Sequence, residues 1–184
     1  MEIKETEFKG LFEIVPRSFE DERGLFFESY HQIKFREAGI EAQFVQDNQS
    51  FSKAGVLRGL HFQLPPYDQG KLVRVISGRA LDVAVDLREG SPTFGQHIAK
   101  VLESNLGNML YIPPGFAHGF VALTDCIFFY KCTNFYDKPS DGGLKWDDPD
   151  LNIQWGIAEP NVSEKDIALP SLSDFLKGNN PWVF

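Results

Sequence analysis

The segment KLVRVISGRALDVAVDL, residues 71–87, decides the fold class of this chain. In its second half every other position is Leu or Val, while Asp82 and Asp86 lie at positions between them. Side chains that alternate with a period of two lie on opposite faces of a β-strand, so this pattern predicts a strand with one apolar and one polar face. Gly78 interrupts the segment and predicts a turn between two strands, at 71–77 and 80–87.

Similar patterns recur on both sides of this segment. Further strands are predicted at 57–63, 97–102, 110–112, 117–123 and 126–134, and helix only at 31–38 and 171–176. Short strands without a ten-residue helical pattern between them favour a sandwich or barrel over a parallel sheet. We therefore predict an all-β jelly roll with short peripheral helices. Whether the first forty residues pair with its sheet or with a second subunit stays open.

Length and charge limit the classes of function. A chain of 184 residues predicts one domain, and its 17 Phe, 16 Gly and 11 Pro are typical of many strands linked by tight turns. The formal net charge of −8 provides no broad positive surface, so we expect no nucleic-acid partner, although a few Arg or Lys can still bind one diphosphate. The first ten residues carry three acidic residues and no apolar run, which predicts a cytoplasmic protein without a signal peptide or membrane association.

The two cysteines, Cys126 and Cys132, fall on one predicted strand. Residues six apart on a strand share a face but lie roughly 20 Å from each other. That distance is too long for a disulfide, so two free, buried thiols are predicted.

Several polar side chains lie on the predicted strands, and each also has an ordinary structural explanation. His61 shares a face with Gly59 and Gln63, where the glycine leaves room beside the imidazole, although a single histidine on a strand is more often structural. Tyr130 lies among apolar neighbours, as a core tyrosine does, but its hydroxyl needs a partner or a ligand. Lys71 opens a strand, where its ammonium either reaches the mouth of a barrel or lies in solvent.

Arg58 conflicts with strict alternation, which sends its side chain to the face opposite His61. The two side chains can share a site only if the strand is bulged near Gly59 or a second subunit contributes.

A metal site is not predicted, although jelly-roll barrels with interior histidines often hold iron, zinc or manganese. The four histidines, at 31, 61, 97 and 118, are scattered along the chain. His61 has no second histidine two residues further on, and His118 has no carboxylate near it in sequence.

Longer strings of sequence carry a resemblance to a known family. They are DERGLFFES (21–29), QDNQSFSKAGVLRGLHFQ (46–63), KLVRVISGRALDVAVDLREGSPTFG (71–95), YIPPGFAHGF (111–120), YKCTNFY (130–136) and WDDPDLNIQW (146–155). Together they resemble the dTDP-4-dehydrorhamnose 3,5-epimerase family of the cupin superfamily over nearly the whole chain. GVLRGLHFQ followed by PPGFAHGF is the most specific part of this signal.

The resemblance implies a cupin jelly roll that forms a homodimer, exchanges an N-terminal segment between subunits and uses no metal or nucleotide cofactor. It implies that His61 is the general base, Asp166 its orienting carboxylate, Tyr130 the general acid, and Lys71 a neighbour of the substrate carbonyl. It also implies a set of residues that bind the nucleotide sugar, with Tyr136 stacking on thymine: Arg23, Glu28, Gln46, Asn48, Arg58, His118, Tyr136, Asp141 and Lys165. The chain departs from the family at Asp141, where the usual residue is Glu, and the shorter side chain predicts a contact through water.

These residue types suit proton transfer beside a ketone, which needs a base at carbon, a cation at oxygen and an acid on the opposite face. The implied reaction converts dTDP-4-dehydro-6-deoxy-D-glucose to dTDP-4-dehydro-L-rhamnose by inversion at C5 and C3. Three alternatives stay open at this point. They are a related epimerase acting at C3 or C5 alone or on another nucleotide, a carbohydrate-binding jelly roll without catalysis, and a metal-dependent cupin.

Overall fold

A computed structural model of the chain describes residues 1–178 and 180–184. The helices are short: α1 (Gln32–Glu37), α2 (Glu164–Ile167), α3 (Leu172–Phe175) and a 3₁₀ turn at Lys138–Ser140. The strands are β1 (Glu2–Glu5), β2 (Phe12–Val15), β3 (Ser18–Asp21), β4 (Gly24–Phe27), β5 (Gln46–Ser52), β6 (Val56–Gln63), β7 (Lys71–Ser77), β8 (Arg79–Asp86), β9 (His97–Glu103), β10 (Met109–Ile112), β11 (Phe116–Ala122), β12 (Cys126–Cys132), β13 (Asp141–Gly143) and β14 (Asn161–Val162).

Strands β5 to β12 form a jelly roll. One sheet has the order β5, β12, β7, β10, and the other has the order β6, β11, β8, β9. The pairs within both sheets are antiparallel. The predicted all-β jelly roll is therefore confirmed. Strands β1 and β2 extend the first sheet beyond β10, whereas β3 and β4 form a separate two-stranded hairpin.

Apolar side chains from both sheets fill one end of the barrel. Phe120 of β11 stacks on Phe128 of β12 with ring centroids 3.9 Å apart. The same buried cluster includes Val73, Val75 and Ala84 together with larger side chains such as Phe116. Both stacked rings belong to this core cluster and also line the open cavity of the barrel.

The outer faces of both sheets are also covered, which explains the pattern of β8. Its Leu and Val side chains pack outward against a C-terminal layer that contains Trp155 and Trp182. Its other face points between the sheets, where Asp82 and Asp86 are fully buried. The polar face predicted for this strand is therefore an interior face of the barrel.

The predicted elements all lie within two residues of their observed bounds, but the short strands β1, β2, β13 and β14 and several other elements were not predicted. The strand predicted to end at 134 ends at Cys132. Strand β5, the β3–β4 hairpin and helix α2 were not predicted, because α2 is a four-residue helix and β5 is built mainly from polar residues. Cys126 and Cys132 are free and buried, as predicted. Within the described part of the chain, no helix has the length and apolarity needed to span a bilayer.

Candidate active site

A cavity of about 630 Å³ opens at the polar end of the barrel, between the two sheets. This volume is within the usual range for small-molecule sites. Ten of the thirteen predicted site residues line it: Asn48, Arg58, His61, Lys71, His118, Tyr130, Tyr136, Asp141, Lys165 and Asp166. Arg23, Glu28 and Gln46 are not among the lining residues.

His61 is paired with the carboxylate of Asp166. His61 Nε2 lies 2.7 Å from Asp166 Oδ1, and the backbone N–H of Gly59 donates to Asp166 Oδ2 at 3.3 Å. The carboxylate is buried because Ser163 caps α2 and directs this helix against β6. Burial opposes ionisation of Asp166, but the bonds from His61, Gly59 and Ser163 outweigh it and lower its pKa.

A bulge in β6 brings Arg58 and His61 into the same cavity. His61 pairs with His118 on β11, but Arg58 pairs with Phe120, so β6 has one more residue than β11 over this stretch. Gly59 lies within the bulge at φ +130°, and an added Cβ would lie 2.5 Å from Gly119 Cα. Strict alternation would place Arg58 and His61 on opposite faces of the strand. The bulge near Gly59, one of the two explanations considered, removes this conflict.

Tyr130 faces the cavity from the opposite sheet. It lies on β12, whereas His61 lies on β6, so the two side chains reach the cavity from its two walls. Burial beside Phe128 raises the pKa of Tyr130 to about 12. The phenol therefore stays protonated at neutral pH and can act as a proton donor.

Lys71 is buried rather than exposed, with 9% of its surface accessible. It opens β7 next to Tyr130's strand and lines the cavity. Burial lowers the pKa of its ammonium, opposed by the charges of Cys132, Asp141 and Asp82. Of the two positions considered for this side chain, the one in the mouth of the barrel is correct.

A second histidine–carboxylate pair lies deeper in the barrel. His118 Nε2 is 2.7 Å from Asp82 Oδ1, and both side chains are buried. The other oxygen of Asp82 is buried without a hydrogen-bond partner among the described residues. Asp82 does not line the cavity itself but holds His118, which does, and the sequence analysis did not pair the two.

The mouth of the cavity contains a small polar cluster. Asp141 Oδ2 accepts hydrogen bonds from the Tyr136 hydroxyl at 3.2 Å and from Lys165 Nζ. The hydrogen bond that Lys165 donates to Asp141 raises the pKa of Lys165, so this side chain stays cationic. Tyr136 is 55% exposed, which leaves much of its surface available to a ligand.

Three predicted site residues lie elsewhere in the chain. Arg23 and Glu28 belong to the β3–β4 hairpin and its end, where they pair with Asp21 and Lys34 in solvent. A single chain does not bring them to the cavity. Gln46 lies just behind it, where its Oε1 accepts the backbone N–H of Tyr136 at 2.9 Å.

This arrangement can take a proton from one side of a bound ligand and return one from the other. The imidazole of His61 beside Asp166 can accept a proton, the hydroxyl of Tyr130 on the opposite wall can donate one, and the amino group of Lys71 lines the same cavity. Within residues 1–178 and 180–184, no three His, Cys, Asp or Glu side chains form a group that could hold a metal ion. The fold and this site define a class: jelly-roll proteins with an acid–base cavity of the kind used for isomerisation.

Comparison with known proteins identifies the family within this class. A sequence model described as dTDP-4-dehydrorhamnose 3,5-epimerase matches residues 5–174, and the chain belongs to this family. The dTDP-4-dehydrorhamnose 3,5-epimerase of Shigella flexneri is 49% identical over 91% of this chain and 93% of its own length.

Solved structures agree with this assignment. The dTDP-6-deoxy-D-glucose-3,5-epimerase of Legionella pneumophila, in complex with dTDP-4-keto-L-rhamnose, has a TM-score of 0.89 at 44% identity, over 94% of this chain and 93% of its own. A 3′-monoepimerase from Streptomyces bikiniensis, in complex with dTDP-quinovose, has a TM-score of 0.87 at 30% identity, over 92% of this chain and 87% of its own. The fold is therefore shared by enzymes that invert different numbers of carbons.

Proposed function

We propose that this chain is a cofactor-independent isomerase that converts dTDP-4-dehydro-6-deoxy-D-glucose to dTDP-4-dehydro-L-rhamnose. The observation that carries the proposal is the position of His61 and Tyr130 on opposite walls of one cavity. Inversion requires removal of a proton from one face of the sugar and delivery of a proton to the other face. Membership of the family supplies the substrate class.

In the proposed mechanism His61 removes the proton from C5, and later from C3. Asp166 fixes the orientation of the imidazole and stabilises the imidazolium that forms. The electrons move onto the C4 oxygen, where Lys71 donates a hydrogen bond. Because burial lowers its pKa, Lys71 is a stronger donor to an enolate oxygen than a solvated lysine.

Tyr130 then protonates the opposite face of the planar enolate. A general base such as His61 contributes about 10²–10⁴-fold to the rate, and a donor to the enolate oxygen such as Lys71 about 10²–10³-fold. Arg58, His118 and Lys165 are proposed to bind the nucleotide sugar, and Tyr136 to stack on its thymine. The role of Arg58 is supported by the bulge of β6, which turns it toward the cavity.

The number of carbons inverted is tested by proton NMR of the product formed in deuterated water. We expect deuterium at both C5 and C3. Exchange at one carbon alone would instead support a monoepimerase. This second candidate function is considered because the fold is shared with a 3′-monoepimerase. A chelator is expected to leave turnover unchanged. Loss of turnover after addition of the chelator would support the metal-dependent alternative.

The role of His61 separates catalysis from binding. His61→Ala is expected to abolish turnover while dTDP binding, measured by calorimetry, stays nearly unchanged. Appreciable residual epimerisation would refute His61 as the base. If the wild type and the variant both show only background turnover, the result would support a carbohydrate-binding protein without catalysis.

We also propose a homodimer in which the β3–β4 hairpin of each chain completes the cavity of the other. The hairpin exposes Phe19, Leu25 and Phe26, and strand β5, beside the cavity, is an edge strand with one open side. Exposed apolar side chains and an open strand edge are the features that a second copy would cover. Such an exchange would bring Arg23 and Glu28 to the partner's cavity.

A complementation experiment tests this arrangement. Arg23→Ala and His61→Ala are each expected to be nearly inactive alone. After the subunits are mixed and exchanged, half of the dimers are mixed and each of these has one complete site, so about a quarter of wild-type activity should return. No recovery in a sample shown to contain mixed dimers would mean that Arg23 serves its own chain.

The cytoplasm is the proposed compartment. A nucleoside-diphosphate sugar is strongly charged and does not cross a bilayer unaided, so the enzyme is expected where nucleotides are activated. Fractionation of the native organism with an antibody tests this expectation.

A further inference from the structure

The short segment 134–137 follows β12 and presents Tyr136 at the mouth of the cavity. Three consecutive backbone N–H groups of this segment donate to side-chain amide oxygens rather than to a neighbouring strand. These bonds run from Phe135 to Asn134 Oδ1 at 2.9 Å, from Tyr136 to Gln46 Oε1 at 2.9 Å and from Asp137 to Gln63 Oε1 at 2.7 Å. The backbone that carries Tyr136 is thus set by amide side chains.

Among these amide side chains, Gln63 makes three hydrogen bonds to the backbone. Besides accepting from Asp137, its Nε2 donates to the carbonyl of Tyr67 at 2.8 Å and to that of Phe135 at 3.1 Å. The side chain is buried, with 4% of its surface accessible. It therefore joins segment 134–137 to the loop after β6 through three hydrogen bonds that water does not easily replace.

The position of Gln63 on β6 connects the hydrogen bonds that hold segment 134–137 to the strand that carries His61. It lies two residues beyond His61 and lines the same cavity, on one of the two strands that flank its mouth. Gln46 holds the neighbouring N–H from β5, which belongs to the other sheet. Segment 134–137 is therefore tied to both walls of the barrel.

We infer that Gln63 is a positioning residue for nucleotide binding, which orders segment 134–137 in the free protein and so holds Tyr136 ready to stack on the base. This inference rests on the proposed function, in which Tyr136 contacts thymine. A side chain that is already ordered loses less conformational freedom when the ligand binds. Gln63 then affects binding through Tyr136 and leaves proton transfer at the sugar unchanged.

The variant Gln63→Met keeps the size of the side chain and removes all three hydrogen bonds. We expect the Kd for dTDP to rise about ten-fold and KM to rise in parallel, with kcat within about two-fold of wild type. Gln96→Met makes the same chemical change at an exposed position and should change neither constant. A loss of kcat with KM unchanged would overturn the inference.

A double-mutant cycle asks whether Gln63 acts through Tyr136. Because Tyr136→Ala already removes the stacking ring, adding Gln63→Met to it should weaken dTDP binding by less than about two-fold further. Independent effects that multiply would mean that Gln63 contacts the ligand itself or supports the fold in general, and would overturn the inference.

Hydrogen exchange in the wild-type protein gives a test that needs no variant to fold. The amides of residues 135–137 should be protected in the free protein, although the segment lies at the surface. Exchange at unprotected rates until dTDP is added would overturn the inference. This measurement does not involve turnover, so a failure of the inference can be told apart from a failure of the proposed epimerase activity.

Discussion

Asp166 Oδ1 lies 2.7 Å from His61 Nε2 although the two residues are 105 positions apart, and the second oxygen of the same carboxylate accepts the N–H of Gly59. One buried carboxylate therefore holds both the proposed base and the bulge of β6 that turns Arg58 toward the cavity. Chemistry and substrate binding are linked at this point in the fold.

The variant Asp166→Asn tests the first half of this link. The amide keeps the shape of the carboxylate but cannot stabilise an imidazolium, so kcat should fall about 10²–10⁴-fold. The Kd for dTDP, measured by calorimetry, should change little. A variant with near wild-type kcat would contradict the role of the pair.

The pH dependence of stability tests the same residue in the absence of substrate. The pKa of Asp166 is lower in the folded chain than in the unfolded chain. Its ionisation therefore stabilises the fold above the unfolded pKa of about 4, and this contribution is lost as the pH falls through the lowered folded value. The Tm of wild type should drop more steeply than that of Asp166→Asn below about pH 4, as measured by calorimetry from pH 2.5 to 7. Parallel curves would contradict the expectation.

Tyr130→Phe should separate the two proton transfers. The base can still remove a proton and return one from solvent to the same face, so deuterium should enter the substrate at C5 without inversion. Product formation should fall about 10²–10³-fold. Because the pKa of Tyr130 is about 12, the wild-type rate should show no loss from phenol ionisation below about pH 10. Loss of deuterium exchange together with product would contradict this division of roles.

The sequence predicts the jelly roll and most of its strands because a period of two survives in residues 71–87 and in their neighbours. It also offers a bulge near Gly59, which lies between Arg58 and His61, as one of two ways to bring these side chains together, and the structure contains this bulge. Spacing alone cannot pair His61 with Asp166 or His118 with Asp82, because these contacts join distant strands and a four-residue helix. The burial of Lys71 is also unpredictable from local pattern, since lysine is normally exposed.

Lys71→Met should make the fold more stable and the enzyme inactive. Burial lowers the pKa of Lys71, so the folded chain binds its proton less tightly than the unfolded chain does. The free energy of unfolding therefore rises with pH between the folded and unfolded pKa values of Lys71. Burial of the charged ammonium destabilises the fold. Because Met has no ionisable group, the variant avoids the cost of burying or deprotonating the ammonium, so Tm at pH 7 should rise by about 2–4 °C, equivalent to about 1 kcal/mol, and this gain should shrink as the pH approaches about 10.

The control for this prediction is Lys100→Met, which changes an exposed lysine that pairs with Glu13. It should leave activity unchanged and raise Tm little or not at all. A lower Tm for Lys71→Met at pH 7 would mean that Lys71 is stabilised by its neighbours more than burial destabilises it.

Asp141→Ala tests the polar cluster at the mouth of the cavity. The substitution removes the oxygen that holds both the Tyr136 hydroxyl and Lys165 Nζ, so two proposed ligand-binding side chains become more mobile. We expect KM to rise about three- to ten-fold with kcat within about two-fold, since ordering the two side chains is then added to the free energy of binding. Asp147→Ala, which removes an exposed aspartate that pairs with Lys145 away from the cavity, is the control and should leave KM unchanged. Asp141→Glu keeps the carboxylate and lengthens its side chain by one methylene, so it should not raise KM. A kcat loss larger than the change in KM would place Asp141 in the chemical step and contradict its role in binding.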